Sequence, residues 1–304
     1  MSVVEPTTPF LDQYLSVAMD RYEACIGLSS APTSLGDLST SIRFHYLKLD
    51  SNGRPRWRDL AKNLADHILA YCFSASERKS VRSDIELMGF RRTARDFFRD
   101  SSRSGEAGEM LLFFLLEAVL QAPQMVSKIS LKTNPEVETF GSDGVHMKWN
   151  EPDNLLEIYF GEAKLHKSLT KAVSGAVESI EKFHAKNMED FELRLVSRHY
   201  KHAGDGTKSE VLKYVERGSA TDTARINHAC LLGYDWNAYD DLKADALKNM
   251  AQEFDRLYRA DQQRIIELVH ENFTNLTVKR LRFEVFVLPF QSVEAFRKDF
   301  LEAL

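Results

Sequence analysis

The sequence predicts a mixed α/β fold in which helices and short strands alternate along 304 residues. Three observations carry this reading. Residues 155–160 are a β-prone, largely apolar run. Residues 110–120 form an apolar helix, and residues 169–186 an amphipathic one. A chain that is 43% hydrophobic and 28% charged is an ordinary globular composition, long enough to bury one large core or two modest ones.

Taken in order, residues 1–95 read as an N-terminal lobe and residues 96–304 as the main domain. Residues 41–49 alternate as a strand, 50–53 make a turn, and 57–73 have helical periodicity. Residues 90–100 place Arg91, Arg95 and Arg99 on one helical ridge. The segment 101–105 interrupts the chain and offers helix starts, before the apolar helix. A strand at 125–131 comes next, then two further short strands, the helix at 169–186 and a fourth strand at 191–196. The order is α-β-β-β-α-β. Residues 200–219 are polar and suggest an exposed loop. Residues 226–234 and 281–288 read as strands, and 240–272 as one or two helices. In 292–304, Val293, Phe296, Phe300 and Leu304 share one stripe, the pattern of a docked terminal helix.

The two middle strands hold the chemistry. Side chains alternate faces along a strand, so Leu156, Ile158, Phe160, Glu162, Lys164 and His166 share one face. That face begins as core and ends in a carboxylate and an amine. The opposite face carries Gly161 and Ala163, small enough for a neighbouring element to press close. Asp143 similarly opens the apolar face of Val145, Met147 and Trp149. Pro152, Asp153 and Asn154 supply the turn between the strands. An antiparallel hairpin then brings Asp143 beside Glu162 and Lys164. Two carboxylates and the carbonyl of Ala163 suit a hard cation such as Mg²⁺, with Mn²⁺ as a substitute.

An Asp on one strand followed by Glu-x-Lys on the next resembles the PD-(D/E)xK nuclease superfamily, with Ser142 in place of the proline of that name. More narrowly, Gly141 to His146, Gly161 to His166 and the preceding helix from Gly108 to Glu117 are similar to the HamA family. HamA proteins are nuclease subunits of the Hachiman anti-phage defence system, whose partner HamB is a helicase. The resemblance implies a PD-(D/E)xK-like core and a Mg²⁺-dependent DNA phosphodiesterase whose activity is gated in a complex. It implies metal ligands Asp143, Glu162 and Ala163, a catalytic Lys164, and a supporting carboxylate from the helix. Glu109 is the expected choice, with Glu106 its rival one turn earlier; both also suit the positive end of the helix dipole.

A net charge of −5 argues against a uniformly basic nucleic-acid coat. Phosphate contacts dominate DNA affinity, so local patches or a partner must deliver the substrate. Candidate DNA contacts are His166, Lys167 and Lys171 beyond the motif, and Arg91 and Arg95, although Asp96 and Asp100 beside the arginines favour an ion-paired, solvated helix there. His146 is expected to face away from Asp143 and make a structural hydrogen bond. His199 and His202 read as solvated.

Cys25, Cys72 and Cys230 are scattered, giving neither a disulfide framework nor a zinc site. No apolar run reaches ~20 residues, and the N-terminus lacks a secretory pattern, so a cytoplasmic protein is expected. No phosphate-binding P-loop occurs, so any ATP-driven step belongs to a partner, for which residues 1–95 are the candidate docking surface. Two alternatives stand beside the enzyme: a catalytically silent module holding DNA or a partner, and a scaffold whose Glu162–Lys164 pair is a surface salt bridge of little worth.

Overall fold

The computed structural model describes residues 11–98, 105–126, 129, 141–201, 211–212, 224–242 and 250–304. Helix α1 (Met19–Glu23) leads into β1 (Ile26–Leu28), β2 (Thr33–Leu35) and β3 (Thr40–Leu47). Helices α2 (Trp57–Asp66), α3 (Ile68–Cys72), α4 (Ala75–Ser80) and α5 (Asp84–Asp96) follow. The motif region comprises α6 (Glu106–Val119), β4 (Gln124–Val126), β5 (Val145–Asn150), β6 (Leu155–His166), α7 (Leu169–Ala185) and α8 (Met188–His199). The chain closes with β7 (Ala224–Asp235), α9 (Ala238–Asp241), α10 (Met250–Phe273), β8 (Arg282–Phe290) and α11 (Val293–Ala303).

The eight strands among the described residues form one mixed sheet, ordered β1-β3-β8-β7-β6-β5-β4, with β2 on β3. Strands β6, β7, β8 and β3 run parallel to their neighbours, whereas β4, β5 and β6 are antiparallel. The parallel strands β7 and β8 are buried almost throughout, because helices cover both faces of the sheet. On one face, α6 packs with α2 and α11 over Tyr159, Leu231 and Phe286. On the other, α7 and α10 enclose Cys230, Leu232 and Val285. Alongside them, Phe183, Leu193 and Val196 cover Leu156, Ile158 and Phe160.

The α/β class and most element positions follow the sequence pattern. The turn between β5 and β6 forms where Pro152, Asp153 and Asn154 stand, with Asn154 left-handed at φ 51°. The terminal helix docks through Val293, Phe296 and Phe300.

Three expectations need correction. Residues 191–196 lie in α8 rather than a strand. Phe191, Leu193 and Leu195 alternate with Glu192 and Arg194, a pattern that reads as a strand, but Leu193, Val196 and Tyr200 follow helical spacing into the core. Acidic Glu189 and Asp190 open that helix and Arg198 and His199 close it, as the helix dipole favours. The strand that follows α7 and α8 and pairs with β6 is therefore β7. Second, the separation expected at residue 95 does not extend to the sheet, since β3 pairs with β8 across that boundary. Third, the stretch from residue 200 is not all exposed: Tyr200 and Lys201 are buried. Arg99, Asp100, His202 and most of the segment after β4 lie outside the described residues.

Candidate active site

The hairpin β5–β6 has the register that the alternation implies, with Val145 opposite Phe160. Beyond the regular ladder, Gly161 donates its N–H to the Gly144 carbonyl at 2.9 Å and Asp143 donates to the Gly161 carbonyl at 2.8 Å. The preceding loop turns at Gly141, whose φ of 107° favours glycine. It is fixed by Ser142, whose N–H donates to the buried Glu192 carboxylate at 3.0 Å. Glu192 lies on α8, and nothing in the linear sequence singled it out.

These contacts set Asp143 against the end of β6. Its Oδ2 accepts the main-chain N–H of Ala163 at 2.6 Å. One residue on each side stand Glu162, 8% exposed, and Lys164, whose Nζ meets the Glu162 carboxylate at 2.6 Å. Burial, followed by the neighbouring Asp143 charge, raises the Glu162 carboxyl to about 7 against the opposing pull of Lys164 and a hydrogen bond with Ser179 of α7. For Lys164, burial alone would lower the amine's pKa; the paired Glu162 outweighs it and the net shift is upward.

Helices pack closely on both sides of this strand end. Gly108 of α6 lies so near Ala163 and Leu165 that a Cβ there would sit 3.3 and 3.2 Å from their side chains. A Cβ at Gly161 would approach Leu112 at 3.0 Å. Small residues on that face of β6 thus admit α6. On the other face, Gly175 of α7 lies against Lys164 and His166, confirming that these two share a face.

Helix α6 starts at the site's end of the sheet. Glu106 is buried and Glu109 half-buried in its first turn. Glu109 Oε2 accepts from the Tyr71 hydroxyl at 3.4 Å. Burial and then the charges of Glu109, Asp143 and Glu106 among others push the Tyr71 phenol well above its ordinary range. Tyr71 on α3 therefore stands among the three carboxylates, a residue the sequence did not suggest. Cys230, opposite Glu162 on β7, is a second one; burial and then Glu162 raise its thiol pKa.

The donor set suits a hard divalent cation. Burial first, and then the Asp143 charge, raises the Glu162 carboxyl to about 7, and a dication would take the place of that proton. Oxygen donors favour Mg²⁺ or Mn²⁺ over softer metals. Among the described residues, no three His, Cys, Asp or Glu side chains group as a metal centre, so the Ala163 carbonyl and solvent would complete the shell.

A family model described as HamA matches residues 30–304. The chain belongs to the HamA family. HamA is a component of the Hachiman anti-phage defence system. No curated protein gives a significant match to the chain. The HamA match takes in all the strands from β2 onward and the whole Asp143–Glu162–Lys164 cluster.

The remaining sequence candidates fall at different distances from that cluster in this HamA chain. His166 is half-buried, and burial followed by the Lys164 charge lowers its pKa. Lys167, just before α7, pairs with Glu294 of α11 at 3.4 Å. Lys171 is exposed on the first turn of α7, and its charge reaches His166. Arg91 and Arg95 lie on α5, which packs on α3; Arg91 approaches Asp66 at 3.9 Å, and Arg95 is exposed. Among the described residues no hydrogen bond or ion pair joins either arginine to the motif. His146 is buried with Nδ1 2.7 Å from the Ala122 carbonyl, and burial lowers it to about 3. It makes the structural hydrogen bond expected of it.

Proposed function

We propose that this HamA chain is a metal-dependent DNA nuclease, the effector of its defence system, working with a helicase subunit. The single observation that carries the reading is the convergence of Asp143, Glu162 and Lys164 at one strand end. Asp143 is tied to Ala163, and the Glu162 carboxyl is raised first by its burial and then by the Asp143 charge. Fold stability alone gives no reason to set a buried carboxylate near a second one and an amine.

Asp143 and Glu162 would hold Mg²⁺, with the Ala163 carbonyl as a further oxygen donor. Bound there, such an ion would supply Lewis-acid polarisation of the scissile phosphodiester and offset charge developing on it. Lys164, released from Glu162, orients the attacking water and donates to a non-bridging phosphate oxygen. Glu109 and Tyr71 order the rim from the α6 side, and the half-buried His166 lies next along β6 to meet the adjacent phosphate. Lys167 and Lys171 extend that cationic edge along the start of α7.

The partner belongs to the same reading. With a net charge of −5, the chain grips DNA weakly by itself. Helix α5 exposes Ile85 at 82%, Met88 at 56% and Leu87 at 40%, an apolar patch where a helicase subunit would dock. No helix among the described residues is long and apolar enough to cross a membrane. The test is purification of the chain alone and with its helicase neighbour, followed by plasmid assays with Mg²⁺. Mg²⁺-dependent cleavage by the complex that is lost in Glu162→Ala is expected; metal-independent or unaltered cleavage overturns the reading.

A further inference from the structure

At the end of the sheet opposite Glu162, the starts of the four adjacent strands β3, β8, β7 and β6 border a cleft of about 720 Å³. Seven residues of β6 separate the two ends, about 23 Å at 3.3 Å per residue. The cleft is lined by Arg225, Arg280 and Arg282 and by the hydroxyl residues Ser39, Thr40 and Ser41; its described lining includes no carboxylate.

The acidic groups lie behind the arginines. Arg225 meets Asp153 at 2.9 Å and Glu157 at 3.3 Å. Arg282 meets Glu157 at 3.2 Å and Glu284 at 3.6 Å. Glu157 also faces Lys148 at 3.7 Å, and Glu284 faces Arg43 at 3.0 Å. With Arg280, five cations answer three carboxylates, so the network keeps positive charge after internal pairing. Arg280 is exposed and makes no ion pair among the described residues. Thr40 gives an independent sign. It is 3% exposed, and its hydroxyl has no hydrogen-bond partner among the described residues. A buried hydroxyl without a partner is costly, and such groups are normally satisfied.

We propose that this cleft is a second binding site that takes the phosphate of a nucleotide. Guanidinium forks match a tetrahedral phosphate in geometry and charge, and the hydroxyl row adds neutral donors. The volume lies within the ~300–1,000 Å³ of small-molecule sites, more than a bare phosphate fills. A free mononucleotide and the 5′-phosphorylated end of a DNA strand carry the same recognised group. The site does not depend on the nuclease reading, because none of its residues belongs to the motif end of the sheet.

The test uses the full chain carrying Glu162→Ala, without divalent metal, so that cleavage is removed from the measurement. Calorimetric titration compares adenosine 5′-monophosphate, adenosine, inorganic phosphate and a short oligothymidylate with and without a 5′-phosphate. The monophosphate or the phosphorylated strand is expected to bind at least tenfold more tightly than its unphosphorylated counterpart and than inorganic phosphate. The tighter of the two identifies the source. Arg280→Ala, which breaks no ion pair among the described residues, is expected to weaken that binding at least tenfold, and Thr40→Val at least threefold, with unchanged circular dichroism. Absence of millimolar binding by either phosphorylated probe overturns the proposal. So does inorganic phosphate binding as tightly as they do, or binding indifferent to both substitutions. Nuclease activity can fail or survive in the wild-type chain without altering these results.

Discussion

The Asp143 carboxylate accepts the Ala163 main-chain N–H at 2.6 Å. That bond fixes an acid from the loop before β5 between Glu162 and Lys164, which flank Ala163 along β6. It also explains why Glu162 resists ionisation, since burial already penalises its charge before Asp143 adds repulsion.

Metal affinity should therefore depend on pH. The folded pKa of Glu162, about 7, lies above its unfolded value. The protonated form thus stabilises the metal-free protein below the unfolded value, and this stabilisation is lost as pH rises through 7. A cation competes with that proton. Apparent Mg²⁺ affinity should rise about tenfold per pH unit up to pH ~7 and level off above it. Thermal unfolding with and without Mg²⁺ at pH 6, 7 and 8 checks this: the metal-induced rise in Tm should grow across the series. In Asp143→Asn it should nearly vanish at every pH.

The helix carboxylates are separable by substitution. Glu109 touches Tyr71 at 3.4 Å, while Glu106 is buried at the helix start. Glu109→Gln should reduce cleavage about tenfold or more and Glu106→Gln less, with Tyr71→Phe intermediate. Steady-state rates on a fluorogenic DNA substrate give the order. The reverse order for the two glutamates moves the supporting role back by one turn.

Acid should destabilise the fold through buried histidines. His45, His146 and His228 are each lowered by burial to about 3. Their folded pKa values are depressed, so the unfolded chain takes up protons first, and stability falls as pH drops below ~6.5. At pH 5.5 each costs about 1.4 kcal/mol. Glu162, raised to about 7, and the raised Glu117 and Glu189 work in the opposite direction, but His67, His166 and His184 are lowered as well and add to the three buried histidines. Urea unfolding should give a lower free energy at pH 5.5 than at 7.5; equal stability would contradict the assignment.

Much of the site was legible because alternation along a strand is a local rule. Leu156 to His166 sorted correctly into faces, and the turn at residues 152–154 fixed the pairing that brings Asp143 to Ala163. Supporting groups were not legible, because they arrive from distant segments. Glu192 reaches Ser142 from α8, Tyr71 reaches Glu109 from α3, and Cys230 faces Glu162 only through the β6–β7 register. The strand expected at residues 191–196 fails for the same reason: six residues in which Phe191, Leu193 and Leu195 alternate with Glu192 and Arg194 do not declare a helical period until their neighbours pack. Nor could local pattern show that β3 would join β8, since that pairing spans about 240 residues of chain.

Lys201 illustrates the cost of such long-range placement. It is 4% exposed, donates to Gln124 at 2.5 Å and to the Ala70 carbonyl, and sits 5.5 Å from the Phe113 ring centre. Its amine is lowered to about 7, first by burial, while the charge of Glu117 opposes the shift. Lys201→Met should destabilise the chain by about 3–5 kcal/mol, because Glu117 and three acceptors, the Ala70 and Tyr71 carbonyls and Gln124, lose their cation. The double variant with Glu117→Gln should recover part of that loss in chemical denaturation.

The most direct measurement is DNA cleavage by the chain in complex with its helicase neighbour, at fixed Mg²⁺, comparing wild type with Glu162→Ala and Lys164→Ala. Both substitutions lie at a strand end, so folding should be retained, which circular dichroism verifies. The nuclease reading predicts Mg²⁺-dependent cleavage by the wild type and a loss of at least a hundredfold in each folded variant. Full cleavage by either variant would contradict it.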